Sequence, residues 1–427
     1  MAAAGNTDFD VVIVGGGAIG ATLALELDRL HYRVAIVELR QPSFESTCPE
    51  RVIALNYGSR CHLERLGLWQ DIASTGLGDI RHIVVTEPGN RGRVDLDAAN
   101  SEIPDMHELG YVVEMGLLLE PMYRRLQDSG VELTSPASVL DFDVQPDQVD
   151  IQIRCGDKAS RITTALLVGA DGTNSQIRHQ AGIGVLGWDY NRFGLVASVA
   201  CEKGHGNTAY ECFRSSGPLA FLPLADDRFS IVWAATPVEA TQLLAMDDDQ
   251  FITALQKAAG DATMRLIGDI TSTSRRASFP LELTIAKRFS ESRLALVGNA
   301  AHTVHPVAGQ GMNLGLRDVL ALVEMLDPGL SHNDLAHSDP GQSIIMQGYA
   351  EKRRADVMAV AGFTESMVHT FGSSVPGMKW LRGTGLEKLP RAQSLSGLLL
   401  QQASGAGQMR SQARSGTDIQ ENREVAA

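Results

Sequence analysis

Glycines at positions 15, 17 and 20 follow directly on the apolar run Val11–Val14. An apolar-rich stretch runs on to about Leu30, and a second β-type run, Arg33–Val37, ends in Glu38. This order is strand, Gly-x-Gly-x-x-Gly, helix, strand, acid. Gly15 permits a tight turn, Gly17 lets backbone approach a pyrophosphate, and Gly20 lets helix and strand pack closely. The helix opening at Ala18 then points its N-terminal amides at the phosphates. Glu38, 18 residues after Gly20, is placed to accept ribose hydroxyls. The pattern predicts a bound adenine dinucleotide. A second group, His302 and His305, has a spacing that suggests metal, but no Cys, Asp or Glu nearby completes a ligand set, so no metal is expected. His305 precedes Pro306, which favours an extended backbone, and histidine is the side chain whose ordinary pKa lies nearest neutrality. His305 and Pro306 are therefore the candidates for a catalytic role.

The chain has 427 residues, 44% hydrophobic and 21% charged, which suits two or three packed units rather than a disordered chain. A formal charge of −14 repels phosphate backbones and argues against nucleic-acid binding. Five cysteines without a Cys-x-x-Cys pair argue against a disulfide framework or a structural zinc. The N-terminus lacks a basic segment followed by an apolar core, and no run of about 18 apolar residues occurs. The expected location is the cytoplasm, with peripheral contact at the inner membrane as the alternative.

Tyr111–Val113 reads as a short strand before a helix at Leu117–Leu126, and Val149–Arg154 and Ile162–Val168 as further strands. Between about Phe193 and Ala235 the pattern becomes successive strands. In Arg228–Ala235, Phe229, Ile231 and Trp233 alternate with Ser230 and Val232, as in an antiparallel strand with one buried face. Phe221, Phe229 and Trp233 are assigned to a core. Arg293–Val297 is a strand, followed by helices at about Gln310–Leu326 and Tyr349–Phe371.

Three later segments narrow the cofactor. Leu167-Val168-Gly169-Ala170-Asp171-Gly172-Thr173-Asn174-Ser175, followed by Arg178, resembles the Asp-Gly motif of FAD-dependent aromatic hydroxylases. Leu296–His302 resembles their second FAD motif, with Gly298-Asn299 where Gly-Asp is usual. The run from His305 through Gly309, Gly311, Met312, Asn313 and Gly315 to Arg317-Asp318 is similar to the signature of the ubiquinone-biosynthesis hydroxylases, the UbiH, UbiI, UbiF and Coq6 group. Arg51–Leu55 and Gly110–Glu114 also match, and the resemblance runs from about Phe9 to Phe371. Gly-Asn at 298–299 and Met115 after Val-Val-Glu lean toward the UbiH type; Tyr190-Asn191-Arg192 departs from the relatives, many of which have Gln near this point.

The resemblance implies an α/β fold: a Rossmann-like FAD-binding domain of the aromatic hydroxylase type, an inserted, mainly antiparallel β-sheet substrate domain, and C-terminal helices. The flavin domain is expected at 1–73, 99–185 and 276–345, and the substrate domain at 74–98 and 186–275. A helical region is expected at 346–400 and a flexible tail at 401–427. Non-covalent FAD would be held by Gly15, Gly17, Ala18, Gly20, Glu38, Arg51, Asp171, Gly298, Asn299, Pro306, Gly309, Gly311, Met312 and Asn313. The implied reaction is hydroxylation of a polyprenylated (methoxy)phenol with NAD(P)H and O₂ through a flavin C4a-hydroperoxide. NAD(P)H would act as a transient reductant, since no second Gly-x-Gly-x-x-Gly fold is present. The lipid-tailed substrate would come from a membrane surface or a ubiquinone-synthesis protein complex. The rivals are a flavin hydroxylase or reductase acting on another molecule, and a flavin-binding assembly member of such a complex.

Overall fold

The computed structural model describes residues 7–42, 44, 52–89, 93–101, 103–104, 106–327, 339–372 and 404–405. Among them the strands form three sheets. The first is built around Phe9–Val14, which pairs in parallel with Val34–Val37 on one side and with Lys158–Gly169 on the other. Leu294–Leu296 and Glu132–Thr134 extend it, also in parallel. Strands in the middle of such a sheet are covered on both faces, which is why Val11, Val12 and Ile13 are all apolar and all fully buried. The first helix, Ala18–Arg29, and the helix Gln310–Leu326 pack against each other above it. Ser343–Gly372 in turn packs on Gln310–Leu326.

The second sheet is mostly antiparallel. Val185–Cys201 pairs with Phe229–Ala235 and with Ala277–Ala286, and Gly217–Pro223 links Phe229–Ala235 to Thr208–Arg214. His82–Thr86 then joins in parallel to Thr208–Arg214 and carries Arg93–Asp97 at the edge. Segments far apart in the sequence thus share one sheet. Three details differ from expectation. Gly78–Ile80 does not join this sheet; it pairs with Gly110–Glu114 and, through it, with Val52–Asn56 in a separate three-stranded sheet. The large sheet also runs past 275, because Ala277–Ala286 continues the ladder with Val185–Cys201.

The third difference is that Pro237–Ala245 and Asp248–Ile267, inside the range expected to be mainly β-sheet, are helices. Each begins with a capping box, Thr236 with Glu239 and Asp247 with Gln250, a local signal visible in the sequence. These helices bury one face of the sheet: Phe221, Phe229, Ile231 and Trp233 form a core with Leu243, Phe251 and Leu255. The opposite face belongs to another cluster, with Ala209, Phe213, Val307 and Phe371. The C-terminal helix is longer than Tyr349–Phe371, starting at Ser343. The region from 373 to 403 and the tail from 406 lie outside the described residues.

Candidate functional site

The first glycine turn is locked by its neighbours. Gly15 has φ +108°, and a Cβ there would lie 2.4 Å from the Ala170 carbonyl oxygen, so only glycine fits. At Gly20 the corresponding contact is 2.0 Å to the Gly15 oxygen, which brings the helix down onto the strand. Gly17 is different: nothing lies within 4 Å of its Cβ position, and no side chain caps the helix that starts at Ala18. Those amides stand bare at the positive end of the helix dipole, as an anion site requires. Glu38 closes the turn from below. Its Oε2 accepts the Gly16 N–H at 2.6 Å and its Oε1 accepts the Arg40 N–H at 2.9 Å, which fixes the carboxylate at the strand end. Tyr123, not anticipated, donates its hydroxyl to the Gly16 carbonyl at 2.6 Å.

The Asp171 carboxylate works inside its own turn. It accepts the Ser175 hydroxyl at 2.5 Å and the Gln176 and Ile177 N–H groups at 2.7 and 3.1 Å. These three bonds use most of the roughly four acceptor positions of a carboxylate, so its work is to shape the loop. Asn299 sits exposed within the short 3-10 turn Gly298–Ala300 rather than capping a helix, and its amide reaches the Thr173 hydroxyl at 3.3 Å. Arg178 donates to the Ala300 and Thr173 carbonyls, tying the two flavin motifs together.

Beneath this turn lies a knot that sequence reasoning quoted but did not assign. Buried Asp318 accepts the Gly298 N–H at 2.8 Å, the His302 Nε2 at 2.7 Å and the Arg353 Nε at 2.7 Å. Burial alone would raise its pKa, but His302 and Arg353 outweigh that and hold the carboxyl below its ordinary value. The signal was the last residue of the Gly309–Asp318 run.

Gly309 has φ +60° and heads the helix Gln310–Leu326 with no side-chain cap; a Cβ there would meet the Ala54 side chain at 2.7 Å. Gly311, the second residue of that helix, faces open space, and Met312 is half-buried beside it. Asn313 does not keep a free amide for a ligand. Its Oδ1 accepts from the Asn56 N–H and the Ser59 hydroxyl, and its Nδ2 donates to the Ala54 and Gly309 carbonyls. The residue anchors the strand Val52–Asn56 to the glycine loop. Arg51 lies outside the described residues.

His305 is buried, with its ring edge-on to Tyr190 at 5.0 Å, and its Nδ1 accepts the Val307 N–H at 3.3 Å. Burial pushes its pKa down to about 4. The imidazole is therefore neutral near pH 7, which removes the premise on which proton exchange was expected of it. Pro306 starts the 3-10 turn Val307–Gly309. Among the described residues no cluster of His, Cys, Asp or Glu could hold a metal ion.

The site fits FAD on its own geometry: two helix N-termini without caps, open space at Gly17 and Gly311, and a fixed carboxylate at Glu38. The FAD-binding domain family model matches residues 8–362. The chain is 33% identical over 404 residues to the 3-demethoxyubiquinol 3-hydroxylase of Escherichia coli, covering 94% of this chain and 99% of that one. It is 32% identical to ubiquinone hydroxylase UbiL of Rhodospirillum rubrum, over 93% and 89% of the two chains. Likeness to the ubiquinone biosynthesis monooxygenase COQ6 of Homo sapiens is 27%, over 90% and 89%. The fold matches p-nitrophenol 4-monooxygenase PnpA of Pseudomonas putida with a TM-score of 0.74 at 18% identity, over 92% and 96% of the two chains. It also matches PqsL of P. aeruginosa with 0.73 at 23%, over 88% and 99%. The chain belongs to the ubiquinone-biosynthesis hydroxylases of the FAD-binding family, and it is an FAD-dependent monooxygenase.

Proposed function

We propose that this enzyme hydroxylates the aromatic ring of a polyprenylated (methoxy)phenol in ubiquinone biosynthesis, using NAD(P)H and O₂. The observation that carries the reading is the face of the large sheet that meets Val307, at the start of the glycine loop. It presents Ile83, Val85, Phe213, Ala220 and Leu222, an apolar bed suited to a lipid-tailed ring. Likeness to relatives named for ubiquinone hydroxylation supports the same substrate class.

When bound, FAD supplies activated oxygen, and the chain's own residues do the rest. The Gly17 and Ala18 amides bind the pyrophosphate, Glu38 accepts ribose hydroxyls, and Asn299 reaches the ribityl chain. The amides of Gly311 and Met312, at the positive end of their helix, would favour negative charge on a flavin ring held there. Asp171, Gly298 and Asn313 hold these groups in place. The apolar face excludes water. NAD(P)H binds transiently at the same cavity.

The same proposal assigns 1–73, 99–185 and 276–345 to flavin binding and 74–98 and 186–275 to substrate, except that Ala277–Ala286 goes with the substrate sheet and Gly78–Ile80 with the three-stranded sheet. It locates the protein in the cytoplasm with peripheral contact at the inner membrane. No helix among the described residues is long and apolar enough to cross a membrane.

The test supplies the purified, FAD-loaded protein with a short-tailed prenyl methoxyphenol and NADH or NADPH. Oxygen consumption with matching hydroxylated product is the expected result, and complementation of strains blocked at each hydroxylation identifies the ring position. NAD(P)H oxidation with peroxide and no product from any phenol refutes the reading. His305 and Pro306 enter as positioning residues. His305→Ala should keep FAD but lower product per NAD(P)H, with the balance as peroxide; unchanged coupling removes His305 from the reaction.

A further inference from the structure

Glu211 stands alone on the face of the large sheet that meets the glycine loop. In Thr208–Arg214 the side chains alternate: Tyr210 and Cys212 enter the core beneath the two helices, while Ala209 and Phe213 enter the cluster with Val307 and Phe371. Glu211 lies between the latter two, so the pleat turns it to their side. Across the strands its partners are Ala220 and Val85, then Val232 beyond Ala220 and Val196 beyond Val232. Every member of that row except Glu211 is apolar.

The end of Ser343–Gly372 closes one end of this face, Phe371 stacking on Phe213 at 4.0 Å with Met367 and Val368 beside it. Glu211 is half-buried, on the face occupied by the cluster with Val307 and Phe371. Among the described residues its carboxylate has no hydrogen-bond or ion-pair partner. A carboxyl left this way in a monooxygenase is a base waiting for an acidic hydrogen.

We propose that Glu211 is the catalytic base that accepts the ring hydroxyl proton of the phenol. This rests on the phenol-hydroxylase reading above. The O–H bond of the substrate breaks, its electron pair stays on the phenolate oxygen, and the proton binds the Glu211 carboxylate. Phenolate formation raises the electron density at the ring carbon that takes one atom of O₂, the other leaving as water with the two electrons that NAD(P)H supplies. When that carbon loses its hydrogen to solvent, the Glu211 carboxyl returns its proton to the ring oxygen.

Desolvation pushes the Glu211 pKa up to about 7, and no charge opposes it. The titratable groups on the elements packed around it look elsewhere. His82 pairs with Asp97, Glu365 accepts the Tyr190 hydroxyl, His369 is exposed beside Glu365, and His305 faces Tyr190. Arg93 and Asp95 pair with each other at the sheet edge. Glu211 is thus ionised in part at neutral pH and is a stronger base than His305, whose pKa of about 4 makes its neutral imidazole a weak one.

The experiment compares wild type, Glu211→Gln and Glu211→Asp, each with FAD content measured, using a 2-methoxyphenol that carries a short prenyl chain. Absorbance of the bound phenol reports phenolate directly, without turnover. Wild type should show the phenolate band, and its hydroxylation rate should fall on the acid side of about pH 7. Glu211→Gln should keep FAD, show the neutral phenol spectrum, lose that acid limb, and form product roughly 10²- to 10⁴-fold more slowly. Glu211→Asp should recover part of both signals. A Gln variant with wild-type phenolate band and rate overturns the role of Glu211 while leaving phenol hydroxylation standing. A wild type that makes no product from the phenol overturns both.

Discussion

Asp318 and Glu211 are both carboxylates withdrawn from water, and the protein treats them in opposite ways. Asp318 receives a backbone N–H, a histidine and an arginine, and those partners hold its pKa down. Glu211 has no hydrogen-bond or ion-pair partner among the described residues, and desolvation alone carries its pKa up to about 7. A buried polar group that the chain satisfies by itself fastens elements together, here the Gly298 turn, Gln310–Leu326 and Ser343–Gly372. One that the chain leaves bare costs stability and is kept for a ligand or for chemistry. The same division separates the glycines: Gly15 and Gly20 are jammed against backbone, while Gly17 and Gly311 face open space.

Replacing Asp318 attacks the satisfied side of this comparison and carries the largest expected effect. Asp318→Ala takes from the buried Arg353 guanidinium one of its two carboxylates, Asp356 remaining, and strips the buried Gly298 N–H and His302 of their acceptor; it should cost about 3–5 kcal/mol, read as a shift in the denaturant midpoint. The double variant Asp318→Leu with Arg353→Leu should recover much of that loss, because no unpaired charge remains. A single variant within about 1 kcal/mol of wild type would break the comparison.

Glu211→Gln attacks the bare side, and its effect on stability has the opposite sign. The folded-state pKa lies above the ordinary value of 4.5, so between pH 4.5 and about 7 the folded protein keeps a proton that the unfolded chain has lost. Stability from this group is present below pH 4.5 and is lost as pH rises through about 7. At about 1.4 kcal/mol per pH unit, reduced for the open part of the carboxylate, the variant should be roughly 2–3 kcal/mol more stable than wild type at pH 8. The two should coincide at pH 4. Equal melting curves at pH 8 would mean that Glu211 has a partner in solution.

The satisfied parts of the molecule differ from the bare parts in how far the sequence discloses them. Gly15–Gly20, Glu38 and the buried run Val11–Val14 are legible because a local pattern of backbone need and burial defines them. The helix Gln310–Leu326 is legible for the same reason. Asp318, Tyr123 and Glu211 escape because their meaning depends on partners 16 to 107 residues away or, for Glu211, on having none among the described residues. Asp171 is expected beside the flavin and spends most of its acceptor positions inside its own turn, while Asn313 spends its amide on distant backbone, a use that no local pattern discloses. The helices Pro237–Ala245 and Asp248–Ile267 were missed although their capping boxes were in plain view; strand alternation just before them drew the reading toward sheet. His305 was assigned chemistry from its ordinary pKa, and burial changed that value.

Glu38 sharpens the comparison from the cofactor side. Its two oxygens hold the Gly16 and Arg40 amides yet retain lone pairs, so the brace keeps acceptor capacity for the ribose hydroxyls that the proposal gives it. Glu38→Ala should weaken FAD binding by roughly 10- to 150-fold, because a hydrogen bond to a charged group is worth about 1.5–3 kcal/mol. Fluorescence titration of the apoprotein measures it. An unchanged Kd would make Glu38 a brace only.

The smallest effect is expected at Gly17, where stability and binding should come apart. Its φ of −64° is ordinary for any residue, and nothing lies within 4 Å of where a Cβ would stand. Gly17→Ala should therefore leave the apoprotein within about 0.5 kcal/mol of wild type, as substitutions that touch nothing generally do. The new methyl group projects into the space before the first helix, where a pyrophosphate must come within hydrogen-bond reach of bare amides. FAD affinity should fall while the apoprotein melts as before. If both fall together, the space at Gly17 is filled by the chain itself in solution; if neither falls, the phosphates sit elsewhere, and the bare helix end has no ligand to explain it.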